Sequence, residues 1–153
     1  MKILRISILA GYLLAASVKD IINKRISLAF LITGIIPVFI CTGIKLYEAA
    51  NDSVFLEVII SHAIGLLIGL LFILVSNFTR GNLGKGDALM FCICGAASGY
   101  EKTLITAVSA FMLGALYAAA MLAMGRLNRK SSFAFVPFIM LGYVMAEVLT
   151  GGM

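Results

Sequence analysis

Two aspartates are the residues of this chain best placed to do chemistry. Asp87 closes the stretch Gly84-Lys85-Gly86-Asp87, a carboxylate on a Gly-x-Gly turn that leads directly into the apolar run Ala88 to Ser98. An ionisable side chain at or just inside a bilayer surface is costly to hold, so function is the default hypothesis for it. Asp20, just past the first apolar run, is the other acidic residue expected on that side of the membrane. Two carboxyls within hydrogen-bonding reach do not readily both ionise, so they share a proton and their pKa values split. One then acts as a base on water while the other, protonated, polarises a carbonyl. That is metal-free, cofactor-free peptide hydrolysis with no covalent intermediate. Gly84 and Gly86, lacking Cβ atoms, let an extended substrate backbone come close and can adopt φ > 0.

Plainer readings exist for each residue. Asp87 could N-cap the fourth helix, with the glycines as the preceding turn. Asp20 could be a juxtamembrane residue balanced by Lys19, Lys24 and Arg25. The dipole at a helix C-terminus disfavours an anion at Asp20, whereas the basic loop favours one, so the sequence leaves open which carboxyl holds the proton. Lys85 either lowers the pKa of Asp87 or anchors at the headgroups.

The elements that must position these residues are membrane helices. The 153 residues are 62% hydrophobic and 12% charged, with a mean hydropathy of +1.10. A soluble domain is roughly half apolar and a quarter charged. The chain therefore reads as all-α, a single membrane-embedded domain over 1–153, with no room for a soluble one. A net charge of +5 would point to nucleic acid in a soluble protein. Here the cations cluster in loops, so the bilayer is the expected partner and nucleic acid is not.

Six apolar runs are expected to span: Met1 to Val18, Ile26 to Ile44 with a kink at Pro37, Val54 to Ser76, Asp87 to Ser98, Thr103 to Gly125, and Phe133 to Thr150. The first also reads as a cleavable signal peptide, but apolar segments follow it at once and favour a first transmembrane helix. Most runs approach the ~20 residues needed to cross ~30 Å of hydrocarbon. The fourth does not, which predicts a short helix beginning partway into the membrane after the Gly-rich loop. A turn over Gly99-Tyr100-Glu101-Lys102 follows it.

The loops after spans one, three and five hold Lys19, Lys24, Arg25, Arg80, Lys85, Arg126, Arg129 and Lys130, and the opposite side holds only Lys2, Arg5, Lys45 and Lys102. The positive-inside rule puts the first set in the cytoplasm and both termini outside a plasma membrane. Glu48, Asp52, Glu57, Glu101 and Glu147 fall on or toward the outer side, which leaves Asp20 and Asp87 as the cytoplasmic acids. Packing of spans one and four would bring them together.

Other residues read as structural. Cys41, Cys92 and Cys94 have neither the CxxC nor the His spacing of a metal site and are small core residues. His62 sits in the third span off the helical face of Glu57 and reads as a hydrogen-bonded packing residue. Gly65/Gly69 and Gly95/Gly99 are small-x-x-x-small pairs for close helix packing, the second placed to admit the first helix. Glu147 is expected to reach the outer interface.

Three segments carry a resemblance. Asp20-Ile21-Ile22-Asn23-Lys24-Arg25-Ile26-Ser27 resembles the Asp-x5-Ile-Pro signature of aspartic prepilin peptidases, the type IV prepilin and preflagellin leader peptidases. Gly84-Lys85-Gly86-Asp87 is similar to their GxGD motif, which presenilin-like proteases share. Ala134-Phe135-Val136-Pro137-Phe138 with Leu141-Gly142 is similar to the Pro-Phe-x-Pro-Phe segment that opens the family's last helix. The resemblance implies Asp20 and Asp87 as the catalytic pair, and a loop at Gly84, Lys85 and Gly86 against the substrate. It also implies a pilin-like precursor, cut on the cytoplasmic side between a short basic leader and a hydrophobic helix. Ser27, Ala134 and Leu89 depart from the usual Pro, Pro and Lys, which bears on loop geometry and substrate preference. Larger members carry a cysteine-rich insertion and an N-methyltransferase activity; this chain has no such cysteines, so peptidase activity alone is implied. The alternatives are a small ion- or proton-coupled transporter or assembly subunit, and a presenilin-like protease that cuts within spans.

Overall fold

The computed structural model describes residues 1–23, 28–50, 54–78, 84–125 and 134–151. Within them the chain forms seven helices and no strand: α1 (Lys2–Asn23), α2 (Leu28–Thr33), α3 (Ile35–Ala49), α4 (Phe55–Phe78), α5 (Lys85–Ser98), α6 (Tyr100–Ala123) and α7 (Val136–Gly151). Three stretches are long and apolar enough to cross a membrane, 30–49, 55–78 and 100–123, and α7 is apolar but shorter. Large apolar side chains cover the outside, among them Ile3, Phe39, Leu67, Leu116 and Val148. A surface this apolar faces lipid, not water. This is an all-α membrane protein.

The second apolar run bends, but not where its proline stands. The break falls at Gly34, between α2 and α3, with Pro37 in the first turn of α3. A proline ring clashes with the carbonyl four residues back and has no N–H to give it, so the disturbance falls one turn earlier. Gly34 closes that turn with an i→i−3 bond, its N–H donating to the Leu31 carbonyl at 3.0 Å. The expected turn over residues 99–102 shrinks to one residue. Gly99 alone, at φ +87°, separates α5 from α6, and Tyr100, Glu101 and Lys102 are already helical. A left-handed glycine reverses the chain without a longer loop.

α4 packs along α5 more extensively than any other pair of helices, followed by α6 on α7 and α1 on α7. Glycines set how close the first pair comes. A methyl group added at Gly65 or Gly95 would collide with the backbone of the other, and one at Gly69 with the backbone of Cys92. The expectation that these glycines serve close packing holds, but the helix admitted by Gly95 is α4, not the first helix. α1 packs chiefly on α7 and α3. Gly142 plays the same part on α7, against the Thr106 carbonyl of α6.

Aromatic rings fill the space between α4, α5, α6 and the start of α7. Phe72 stacks on Phe91 at 4.6 Å, and Phe135 meets Phe111 at 5.3 Å and Phe138 at 6.1 Å between ring centroids. Gly114 of α6 leaves room for the Phe135 ring. The three cysteines are buried, and His62 is buried with Nδ1 2.7 Å from the Val58 carbonyl, as a packing role requires. Glu147 does not end in open solvent. Its carboxylate is 9% exposed and pairs with the Lys102 ammonium at 2.5 Å, because a buried anion needs a cation beside it.

The Gly65–Gly95 contact predicts that Gly95→Ala destabilises the fold by about 1–3 kcal/mol, the usual range for forcing a methyl into a filled site. Thermal unfolding of the detergent-solubilised protein checks this; an unchanged transition would contradict the backbone contact.

Candidate functional site

Asp20 belongs to the buried face of α1. Leu9, Leu13, Ala16 and Asp20 recur at helical spacing and are all buried, so the stripe that seats α1 in the bundle ends in a carboxylate. Asp20 is 6% exposed while its neighbours Ile21 and Ile22 are open to the outside. A buried carboxylate must find donors. It finds one at the start of α7, where the Val136 N–H donates to Asp20 Oδ2 at 3.1 Å.

That donor is available because of the local sequence. The first N–H groups of a helix have no intrahelical acceptor. Val136 is the first residue of α7, and Pro137 behind it has no N–H to leave unsatisfied. Phe138 and Ile139 bond back to the Phe135 carbonyl, so the helix closes on Phe135 and leaves the Val136 N–H for another partner. The rings around Phe135 and Phe138 hold this end in place. Asp20 lies three residues before the end of α1. The unfavourable dipole expected there is opposed by the positive end of α7, which stabilises an anion.

Asp87 comes from a different direction. It is half-buried in the first turn of α5, a helix of 14 residues. At 1.5 Å per residue that is about 21 Å, too short to cross the hydrocarbon. The helix starts at Lys85 with Gly84 at the N-cap position, and no side chain bonds to the cap, so Asp87 is not the capping residue. A Cβ at Gly84 would run into the Asp87 carboxyl, so the first glycine of the motif makes room for the acid of its own loop. Gly84 and Lys85 are exposed and Gly86 is half-buried.

The two acids act on each other electrostatically. Burial raises the pKa of Asp87 above the ordinary carboxylate value, and the charge of Asp20 raises it further. Lys85 is not among the causes, contrary to the expectation that it would lower the value. The packing around the acids also differs from the expected pairing of spans one and four. α3 touches both α1 and α5, and α7 touches α1 extensively and α5 more lightly. The chain from Lys24 to Ser27, the loop with Arg80 and the basic loop with Arg126, Arg129 and Lys130 lie outside the described residues.

Residue types did not reveal the Val136 N–H, since every residue but proline carries one. Its trace in the sequence is Pro137, which marks a helix start. If Asp20 depends on this donor, Val136→Pro, which deletes the N–H yet suits a first helical turn, should couple to Asp20→Ala. A double-mutant cycle on stability should return about 1–3 kcal/mol. Additive effects would mean the bond contributes nothing.

Comparison with known proteins covers both aspartates but not the start of α7. The sequence model of the type IV leader peptidase family matches residues 7–119. The prepilin leader peptidase/N-methyltransferase of Bacillus subtilis (strain 168) is 31% identical over 84 residues, which are 54% of this chain and 34% of that protein. No solved structure matches.

Proposed function

The chain belongs to the type IV leader peptidase family, and on that premise we propose that it is a membrane aspartic endopeptidase that removes the leader from prepilin-like precursors. What supports this reading is a carboxyl buried on an N–H donor, Asp20, whose charge adds to burial in raising the pKa of a second carboxyl on a separate helix, Asp87. Substrate class follows from the family and from the relative named above. The short basic leader, the cut ahead of a hydrophobic helix, six spans and the cytoplasmic face of the site belong to the same proposal.

The environments of the two acids divide the work between them. A donor N–H and a helix N-terminus favour the anion at Asp20. Burial and a neighbouring anion favour the acid form at Asp87. Asp20 therefore takes a proton from water as the oxygen attacks the scissile carbonyl, and Asp87 gives its proton to the carbonyl oxygen. The gem-diol collapses when Asp87 recovers that proton and Asp20 passes the other to the departing amine. Each turnover consumes one water and restores both acids. Gly84, Lys85 and Gly86 lie beside the reacting bond, where two residues without Cβ atoms at the start of α5 leave room for an unwound strand.

The test is incubation of the purified protein with a detergent-solubilised prepilin, with the new N-terminus read by mass spectrometry. A mass loss equal to the leader is expected. Asp20→Asn and Asp87→Asn should each lower the rate by at least about a hundredfold, the scale of positioned acid–base catalysis, while the protein stays folded. Substantial cleavage by both variants contradicts the mechanism, and ion flux without cleavage supports a transporter instead.

The raised pKa of Asp87 sets the alkaline limb of the pH profile. The acid form of Asp87 is lost as pH rises through that raised value. The rate should therefore persist above the ordinary carboxylate range and fall only at higher pH. A profile of kcat/KM that falls already above pH ~4, the ordinary carboxylate value, would refute this assignment of roles.

A further inference from the structure

The end of the bundle opposite the aspartates holds a second cluster of charges that the proposed peptidase does not use. Arg5 lies 15 residues before Asp20 on α1, about 22 Å away along the helix. Lys45 near the end of α3, Lys102 in the first turn of α6 and Glu147 late in α7 gather around it. These side chains, with Lys2, line a small cavity of about 20 Å³. That is room for one water-sized atom.

The charges there do not balance. Glu147 is the carboxylate lining the cavity, and it is already engaged by Lys102 at 2.5 Å. Glu48, at the rim, takes Arg5 Nη2 at 3.3 Å and the terminal ammonium at 3.9 Å. Lys45 has a neutral partner, its ammonium donating to the Ser98 carbonyl at 3.2 Å. Arg5 is the most telling. Its side chain is 17% exposed, and among the described residues its Nε and Nη1 are buried with no hydrogen-bond acceptor. A buried guanidinium with two idle donors is expensive, and an oxyanion placed to accept from one of them lowers the cost.

We infer that this cavity binds a phosphate oxyanion, one oxygen entering between Arg5, Lys45 and Lys102 and the rest of the group lying at the mouth. Phosphate, with several strong acceptor oxygens and a negative charge, suits an idle donor of Arg5 and the point charges of the two lysines. The cavity also lies at a level where exposed tyrosines, Tyr47 and Tyr100, stand at helix ends, as they do at a headgroup layer. The same chemistry is offered by a phospholipid headgroup and by free inorganic phosphate.

Thermal unfolding of the full chain in a non-ionic detergent tests this, titrated separately with inorganic phosphate, a short-chain phosphatidylglycerol, a short-chain diacylglycerol and chloride at matched ionic strength. A phosphate-bearing probe should raise Tm where diacylglycerol and chloride do not. A response to both phosphate probes assigns the free oxyanion as sufficient; a response to the lipid alone assigns a headgroup. Arg5→Gln and Lys45→Met should each weaken the apparent Kd by about tenfold or more, in line with a lost charge-assisted hydrogen bond. Should Arg5→Gln fail to fold, Lys45→Met decides. Stabilisation by neither phosphate probe beyond the controls, or wild-type affinity in the variants that fold, overturns the inference.

Discussion

A carboxylate held against the start of another helix is the constraint on which the rest of this bundle turns. Asp20 could not stay at 6% exposure without the Val136 N–H, and that N–H would be idle without Asp20. The bond ties α1 to α7 across 116 positions of sequence. It also gives the aromatic cluster around Phe135 a purpose beyond filling space. Those rings set the position of the first turn of α7, and so the position of a single donor.

The same constraint makes the two acids unequal. Asp20 sits where a dipole and a donor suit an anion, and Asp87 sits where burial and its neighbour suit an acid. In a pair of chemically identical side chains, only surroundings can assign roles. The proposed division of labour depends on that asymmetry rather than on either residue alone. Gly84 belongs to the same arrangement, because the space it leaves open is the space the Asp87 carboxyl occupies.

Much of this was legible in the sequence. Apolar runs located the helices, the short run after Asp87 became the 14-residue α5, and the glycine pairs marked the closest helix crossing. Residue type and charge context singled out both aspartates as candidates. What stayed hidden has physical reasons. A run pattern gives the existence of a helix but not its neighbour, so α1 was expected against α5 and packs on α7 and α3 instead. A backbone N–H has no letter of its own, which concealed the role of Val136. The ion pair of Glu147 stayed hidden because Lys102, its partner, lies 45 positions away. The bend expected at Pro37 moved to Gly34 because the proline disturbs the turn before it.

The length of α5 has a consequence for the depth at which its two ends lie. Its first turn carries Asp87, and its far end is bonded through the Ser98 carbonyl to Lys45. Polar groups thus stand about 20 Å apart on a helix flanked by longer ones, while undisturbed hydrocarbon is ~30 Å thick. Apart from Lys85, α5 shows no open surface to lipid, so the shortfall of roughly 10 Å is taken up inside the bundle. Polar groups at that depth have to be enclosed by protein or reached by water, and the longer neighbours of α5 form the wall that does so.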